Sequence, residues 1–190
     1  MTASRKILLA LGIVALTQTG VLAAMVIDRV RLLTSGREIT LPIVPVDPRD
    51  LFRGEYVRLG YEVGRVPARL LDGPRPRRNA PFYVVLEKTS EGTWVPAKIS
   101  RAKPGEASPD RIVLKARSVF GWPETTSPTT LLAVRYGIES YFVPEGQGKR
   151  LEALAREKRM AALIAVDARG NAAIKALIID GKLQYEEPLF

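Results

Sequence analysis

Two hydrophobic patterns divide the chain. Ile7 to Ile27 is a run of 21 residues with no charge, broken only by Thr17, Gln18 and Thr19. As a helix it would reach about 31 Å, the thickness of the hydrocarbon layer of a bilayer. Arg5 and Lys6 precede it, and Asp28, Arg29 and Arg31 come after it. The run therefore predicts a membrane-spanning anchor in contact with lipid through residues 7–27. A cleaved signal peptide is the competing reading, with Val21-Leu22-Ala23 as its small-residue processing site. Apolar residues continue through Ala24, Met25, Val26 and Ile27 to complete a full span, which favours retention. Under both readings the remainder of the chain is exported.

After a short polar link, Thr34-Ser35-Gly36, the pattern shifts to period two. Arg37 to Val46 places Ile39, Leu41 and Ile43 on one face, with Pro42 marking an edge or strand end. Asp47 to Gly54 reads as a turn in which Gly54 permits positive φ. Tyr56 to Val63 alternates again, with Val57, Leu59, Tyr61 and Val63 as its core face. Residues 64–80 read as a loop with at most one helical turn. Further strands are predicted at Phe82 to Lys88, Thr93 to Ser100, Arg111 to Val119 and Leu131 to Ile138, the first two joined through Ser90-Glu91-Gly92. One amphipathic helix, Gly148 to Arg159, carries Leu151, Leu154 and Ala155 on its apolar stripe. Ala161 to Asp167 and Ala172 to Ile179 form a hairpin, and Asp180-Gly181 turns into Lys182 to Tyr185. The organisation expected is residues 1–33 as cytoplasmic tail and transmembrane anchor, and residues 37–190 as an extracytoplasmic β-rich domain. Its fold class is mainly β (α+β), an antiparallel β-sandwich or open barrel of roughly nine strands with one packed helix.

Composition narrows the chemistry. The 190 residues contain no cysteine and no histidine. Thiol nucleophiles, thiolate metal sites and disulfides are excluded, and so are the commonest general base and metal ligand. No loop has the spacing of a calcium site, so no metal and no cofactor is expected. Lysine and arginine outnumber acidic residues 29 to 20, a net charge of +9 that favours anionic partners. Export removes nucleic acid from that set.

Two acidic and aromatic segments stand out. Gly54-Glu55-Tyr56-Val57-Arg58-Leu59-Gly60-Tyr61 closely resembles the motif Gly-Asp-Tyr-x-x-Leu-x-Tyr. That motif names the GDYXXLXY family of uncharacterised bacterial membrane-anchored proteins. Pro45 to Leu51 and a second block, Tyr136 to Gly146, resemble that family too, so the likeness covers essentially the whole chain. Glu55 departs from it, standing where the family name has aspartate. The resemblance implies the anchored architecture and hints at a multi-pass membrane protein as partner, but it implies no reaction.

The candidate binding surface drawn from the two blocks is Asp47, Asp50, Arg53, Glu55, Tyr56, Arg58, Tyr61, Tyr136, Glu139, Tyr141 and Glu145. If the blocks converge, they would form a polar groove with aromatic walls. Paired carboxylates would suit glycosidic-bond cleavage. The alternative assigns the acidic residues to turn capping and ion pairs and the tyrosines to packing. A Ser–Lys pair drawn from Ser100, Ser118 and Ser140 with Lys98 and Lys115 has no signature behind it. The expected function is a membrane-anchored interaction module on the periplasmic side of the bacterial inner membrane, with the question of catalysis left open. Its partner would be a multi-pass membrane protein or an anionic envelope polymer. The rival is a carboxylate-dependent envelope hydrolase acting on a polysaccharide.

Overall fold

A computed structural model describes residues 3–45, 56–77, 79–105, 108–122, 127, 129–143 and 146–186. The apolar run lies within α1 (Ala3–Ser35), a helix of 33 residues, about 50 Å long. Leu9–Thr34 is long and apolar enough to cross a membrane. The Thr17 hydroxyl donates to the Ile13 carbonyl oxygen at 2.8 Å, so the hydroxyl of that residue is satisfied within the helix. Thr34 and Ser35, expected in a polar link, belong to α1 instead, and only Gly36 separates the helix from the first strand.

The last turns of α1 dock on the domain. Leu33 is buried, and the helix packs against β11 (Met160–Val166) and β12 (Ala172–Ile179). Asp28 lies 3.8 Å from Arg169 in the turn between those strands. The Gly36 amide donates to the Leu32 carbonyl oxygen at 3.1 Å. A Cβ at Gly36 would crowd that carbonyl and stand 3.1 Å from both the Ala165 Cβ and the Val166 nitrogen. The joint is tight because this residue has no side chain.

The domain is mainly β, with two large sheets and one two-stranded sheet and no closed barrel among the described residues. The first sheet has the order β13 (Lys182–Glu186), β12, β11, β1 (Arg37–Val44), β3 (Gly60–Tyr61). The second runs β4 (Arg65–Pro67), β9 (Leu131–Arg135), β8 (Arg111–Ser118), β6 (Phe82–Lys88), β7 (Trp94–Ser100), β5 (Leu71–Asp72). All pairs are antiparallel except β5 with β7. The small sheet joins β2 (Tyr56–Arg58) to β10 (Ser140–Phe142). Ile39, Leu41 and Ile43 of β1 are buried in one cluster with Phe82, Val84 and Leu86 of β6. The helix α2 (Gly148–Arg156) adds Leu151 and Ala155 to it.

Strand β1 matches the period-two reading, its buried Ile39, Leu41 and Ile43 alternating with exposed Glu38, Thr40 and Pro42. Among the described residues, Pro42 sits where β1 has a strand on one side only, because β3 pairs only with Ile43 and Val44. Asp180 and Gly181 both have positive φ, 51° and 75°, as a tight hairpin requires. Other expectations change. Tyr56 to Val63 is not one strand: β2 pairs with β10, β3 with β1, and Glu62–Gly64 is a 3-10 turn. Its expected core face nevertheless holds, since Val57, Leu59, Tyr61 and Val63 are all buried. The 64–80 segment contains β4, the 3-10 turn Ala68–Leu70 and β5 rather than loop alone. The strand expected to reach Ile138 stops at Arg135, because Gly137 turns the chain at φ 87°. Thirteen strands among the described residues replace roughly nine. The turn residue Gly54 lies outside the described residues.

Candidate functional site

The two resemblance blocks meet as neighbouring strands. In the β2–β10 pair, Arg58 faces Ser140, Val57 faces Tyr141 and Tyr56 faces Phe142. The Leu59 amide adds a bond to the Glu139 carbonyl oxygen at 3.0 Å. The described tyrosine rings of the two blocks belong to the buried core rather than standing as exposed walls. Tyr61, Tyr136 and Tyr141 are buried, at 5%, 6% and 6% exposure. The Tyr61 hydroxyl donates to the Ile138 carbonyl oxygen at 2.9 Å, and the Tyr136 hydroxyl to that of Val63 at 2.6 Å. Each tyrosine thus closes its own block onto the other. Asp47, Asp50, Arg53, Glu55 and Glu145 lie outside the described residues, as does the side chain of Tyr56.

Glu139 holds the turn that separates β9 from β10. Its two carboxylate oxygens accept the amides of Tyr136 at 2.6 Å and Gly137 at 3.0 Å. A carboxylate suits this position because one group satisfies two adjacent donors. Burial first, and the Glu139 charge second, push the Tyr61 and Tyr136 phenols far above their ordinary range. An unfolded tyrosine ionises near pH 10. Their neutral burial therefore favours the folded state fully below that pH, and the contribution is lost as pH rises above it. In an alkaline titration, two of the six tyrosines should yield no phenolate absorbance until the domain unfolds. Smooth ionisation of all six in a folded domain would contradict this placement.

Two cavities adjoin this turn, one of about 490 Å³ and one of about 460 Å³, and both are bordered by Val119, Arg135 and Glu139. Lys115, Arg117 and Asn171 line the larger one. Arg58, Arg65 and the strongly exposed Phe120 line the other. Five cationic side chains thus border a double cleft whose one lining carboxylate, Glu139, already holds two amides. Among the described residues, Lys115, Arg65 and Arg135 form no salt bridge. Arg117 donates to the Asn79 carbonyl oxygen at 2.9 Å. Arg117 and Arg135 are direct cross-strand partners in the β8–β9 pair. Like charges opposed in this way destabilise a sheet, and no described carboxylate bridges them. Ser118 and Lys115 line the same cavity, but the Ser118 hydroxyl donates to the Gly121 carbonyl oxygen at 2.5 Å.

Of the expected site residues, only Arg58, Tyr61, Tyr136 and Glu139 border this cleft. Arg117, Arg135 and Arg65 were not anticipated, and Lys115 was considered only as a partner for a serine. The alternation of Lys115 and Arg117 on the polar face of β8 was a visible signal, but Arg135 joins them only through strand pairing. None of the four cavities described has more than one carboxylate side chain among its lining residues. Among the described residues, no cluster of acidic side chains could hold a metal ion.

Searches of curated proteins and of solved structures return no match to the chain. One family model, described as GDYXXLXY protein, matches residues 18–177. That match takes in the second half of α1, both tyrosine-bearing blocks and every strand of the domain except β13 and the last two residues of β12. With most of its length covered, the chain belongs to the GDYXXLXY family.

Proposed function

We propose that the chain is a membrane-anchored interaction module on the periplasmic side of the bacterial inner membrane. Its double cleft binds an anionic envelope component. The observation that carries this reading is the opposed pair Arg117 and Arg135, flanked by Lys115, Arg58 and Arg65. A sheet that sets two arginines against each other gives up stability, and an anion between them would recover it. The hydrolase reading needs two carboxyl groups about 5–10 Å apart across one cleft. The described cleft has one, and that one holds a backbone turn.

Binding of inorganic polyphosphate, a soluble polyanion, to the full chain in neutral-lipid nanodiscs tests the cleft. Arg117→Glu with Arg135→Glu should weaken it by about tenfold or more, and added salt should weaken the unmodified chain. Equal affinity in the charge-reversed protein would overturn the assignment. Glu139→Gln serves as the opposite control. It should cost about 1–2 kcal/mol in stability, because one of two carboxylate acceptors is lost. Polyanion affinity should hold or rise, since a negative charge leaves the cleft. Compartment is checked separately: a reporter fused after Phe190 should be active only outside the cytoplasm, and activity inside would refute that part.

A further inference from the structure

We infer that the anionic component is the phosphate head groups of the bilayer that α1 crosses, and that one face of the domain rests on them. This rests on the reading that the basic cleft binds anions, and it names the source. The position of that face is set by the helix. Ile27 ends the uncharged run and Asp28 begins the polar end of α1, so residues 28 and 29 mark the level where hydrocarbon gives way to head groups. Arg169 lies 3.8 Å from Asp28, and both side chains are well exposed. The turn between β11 and β12 therefore stands at that level.

The neighbouring Arg29 lines a hollow of about 150 Å³ with Gly137, Tyr141, Phe142 and Ile174. This brings β10 and the start of β12 to the same height. Phe142 at the end of β10 is 79% exposed, a large apolar ring placed at the boundary layer where aromatic side chains are stabilised. The same turn leads into the basic cleft. The Lys115 amide donates to the Gly170 carbonyl oxygen at 2.7 Å, and Asn171 and Ala172 line the larger cavity beside Lys115, Arg117 and Arg135. An exposed aromatic ring and a group of cations thus gather where the apolar length of α1 ends. Arginine and lysine pair with lipid phosphate while the ring enters the interface. The inference holds whichever side of the membrane the domain occupies.

The test uses the full chain carrying Phe142→Trp in nanodiscs, either of neutral phosphatidylcholine or with phosphatidylglycerol added. Lipids brominated near the head-group end of their chains act as quenchers. Trp94 and Trp122 of the otherwise unmodified chain give the background. The new tryptophan should emit to the blue of a solvent-exposed indole and be quenched, more strongly in anionic discs. Adding Arg135→Glu and Arg169→Glu should remove that lipid dependence. A second readout needs no new tryptophan: amide exchange in the 167–171 turn should slow in anionic discs relative to neutral ones. A red, unquenched tryptophan and unchanged exchange in both lipids would overturn the inference. If polyphosphate still binds the cleft in that case, the proposed function survives without lipid as its source. If polyphosphate binding also fails, the basic-cleft reading falls with it.

Discussion

Gly36→Ala should destabilise the full chain by about 3 kcal/mol, at the upper end of the cost of forcing atoms into a packed site. The new methyl group would press on the Leu32 carbonyl and meet Ala165 and Val166 at 3.1 Å. Two of those three neighbours are backbone atoms, held by the helix and by the pairing of β1 with β11, so none can swing aside as a side chain would. Chemical denaturation of the reconstituted protein measures the change. Leu33→Ala gives a companion value through a different route, the loss of a buried side chain at the same joint. An unchanged midpoint for Gly36→Ala would mean that the helix and the domain are joined with slack.

Removing the two tyrosine hydroxyls together, Tyr61→Phe with Tyr136→Phe, should also cost about 3 kcal/mol. Each change strands a buried carbonyl, that of Ile138 or of Val63, without its donor. Both hydroxyls fasten the Tyr61–Val63 stretch to the turn before β10, so the effects should not add simply. The single variants, compared with the double, measure that coupling. The rings remain, so core volume is kept and a loss of stability reports on the hydrogen bonds. If both single variants unfold at the midpoint of the unmodified protein, the clasp is incidental. The basic cleft gives an independent readout, because Arg58 and Arg135 flank the same turn.

The sequence showed most where apolar runs of seven or eight residues are bounded by turn formers. Phe82 to Lys88 and Ala172 to Ile179 were legible to the residue, since a strand covered on both faces is apolar almost throughout and its polar, glycine- or proline-bearing flanks end the run sharply. It showed least where strands are two or three residues long. A segment such as Arg65–Pro67 has no period to detect, and only its partner Leu131–Arg135 makes it a strand. The Tyr56–Val63 stretch shows both sides of this. Its buried face was readable, whereas its division between two sheets depends on β10 and β1, which are distant in sequence.

The candidate site divides in the same way. Shared composition correctly suggested that the two blocks lie together. Composition could not tell a tyrosine lining a groove from one closing a core, because its ring and hydroxyl serve both. Tyr61 and Tyr136 bury the ring and direct the hydroxyl to a carbonyl. The cationic pair was hidden for a different reason: Arg117 and Arg135 are 18 positions apart, and only the β8–β9 register opposes them.

The joint at Gly36 has a consequence for encounters within a membrane. On the proposed reading, with α1 across a bilayer and its end packed on β11 and β12, the domain keeps one attitude to the membrane plane. Sliding in that plane and spinning about its normal are the large rigid motions left to it. Orientation accounts for much of the slowness of association in free solution, and here most of it is settled before partners meet. A protein embedded in the same bilayer would always be met at one height by the same belt of residues. Weak contacts could then suffice, because confinement to a plane supplies the local concentration that affinity would otherwise have to provide.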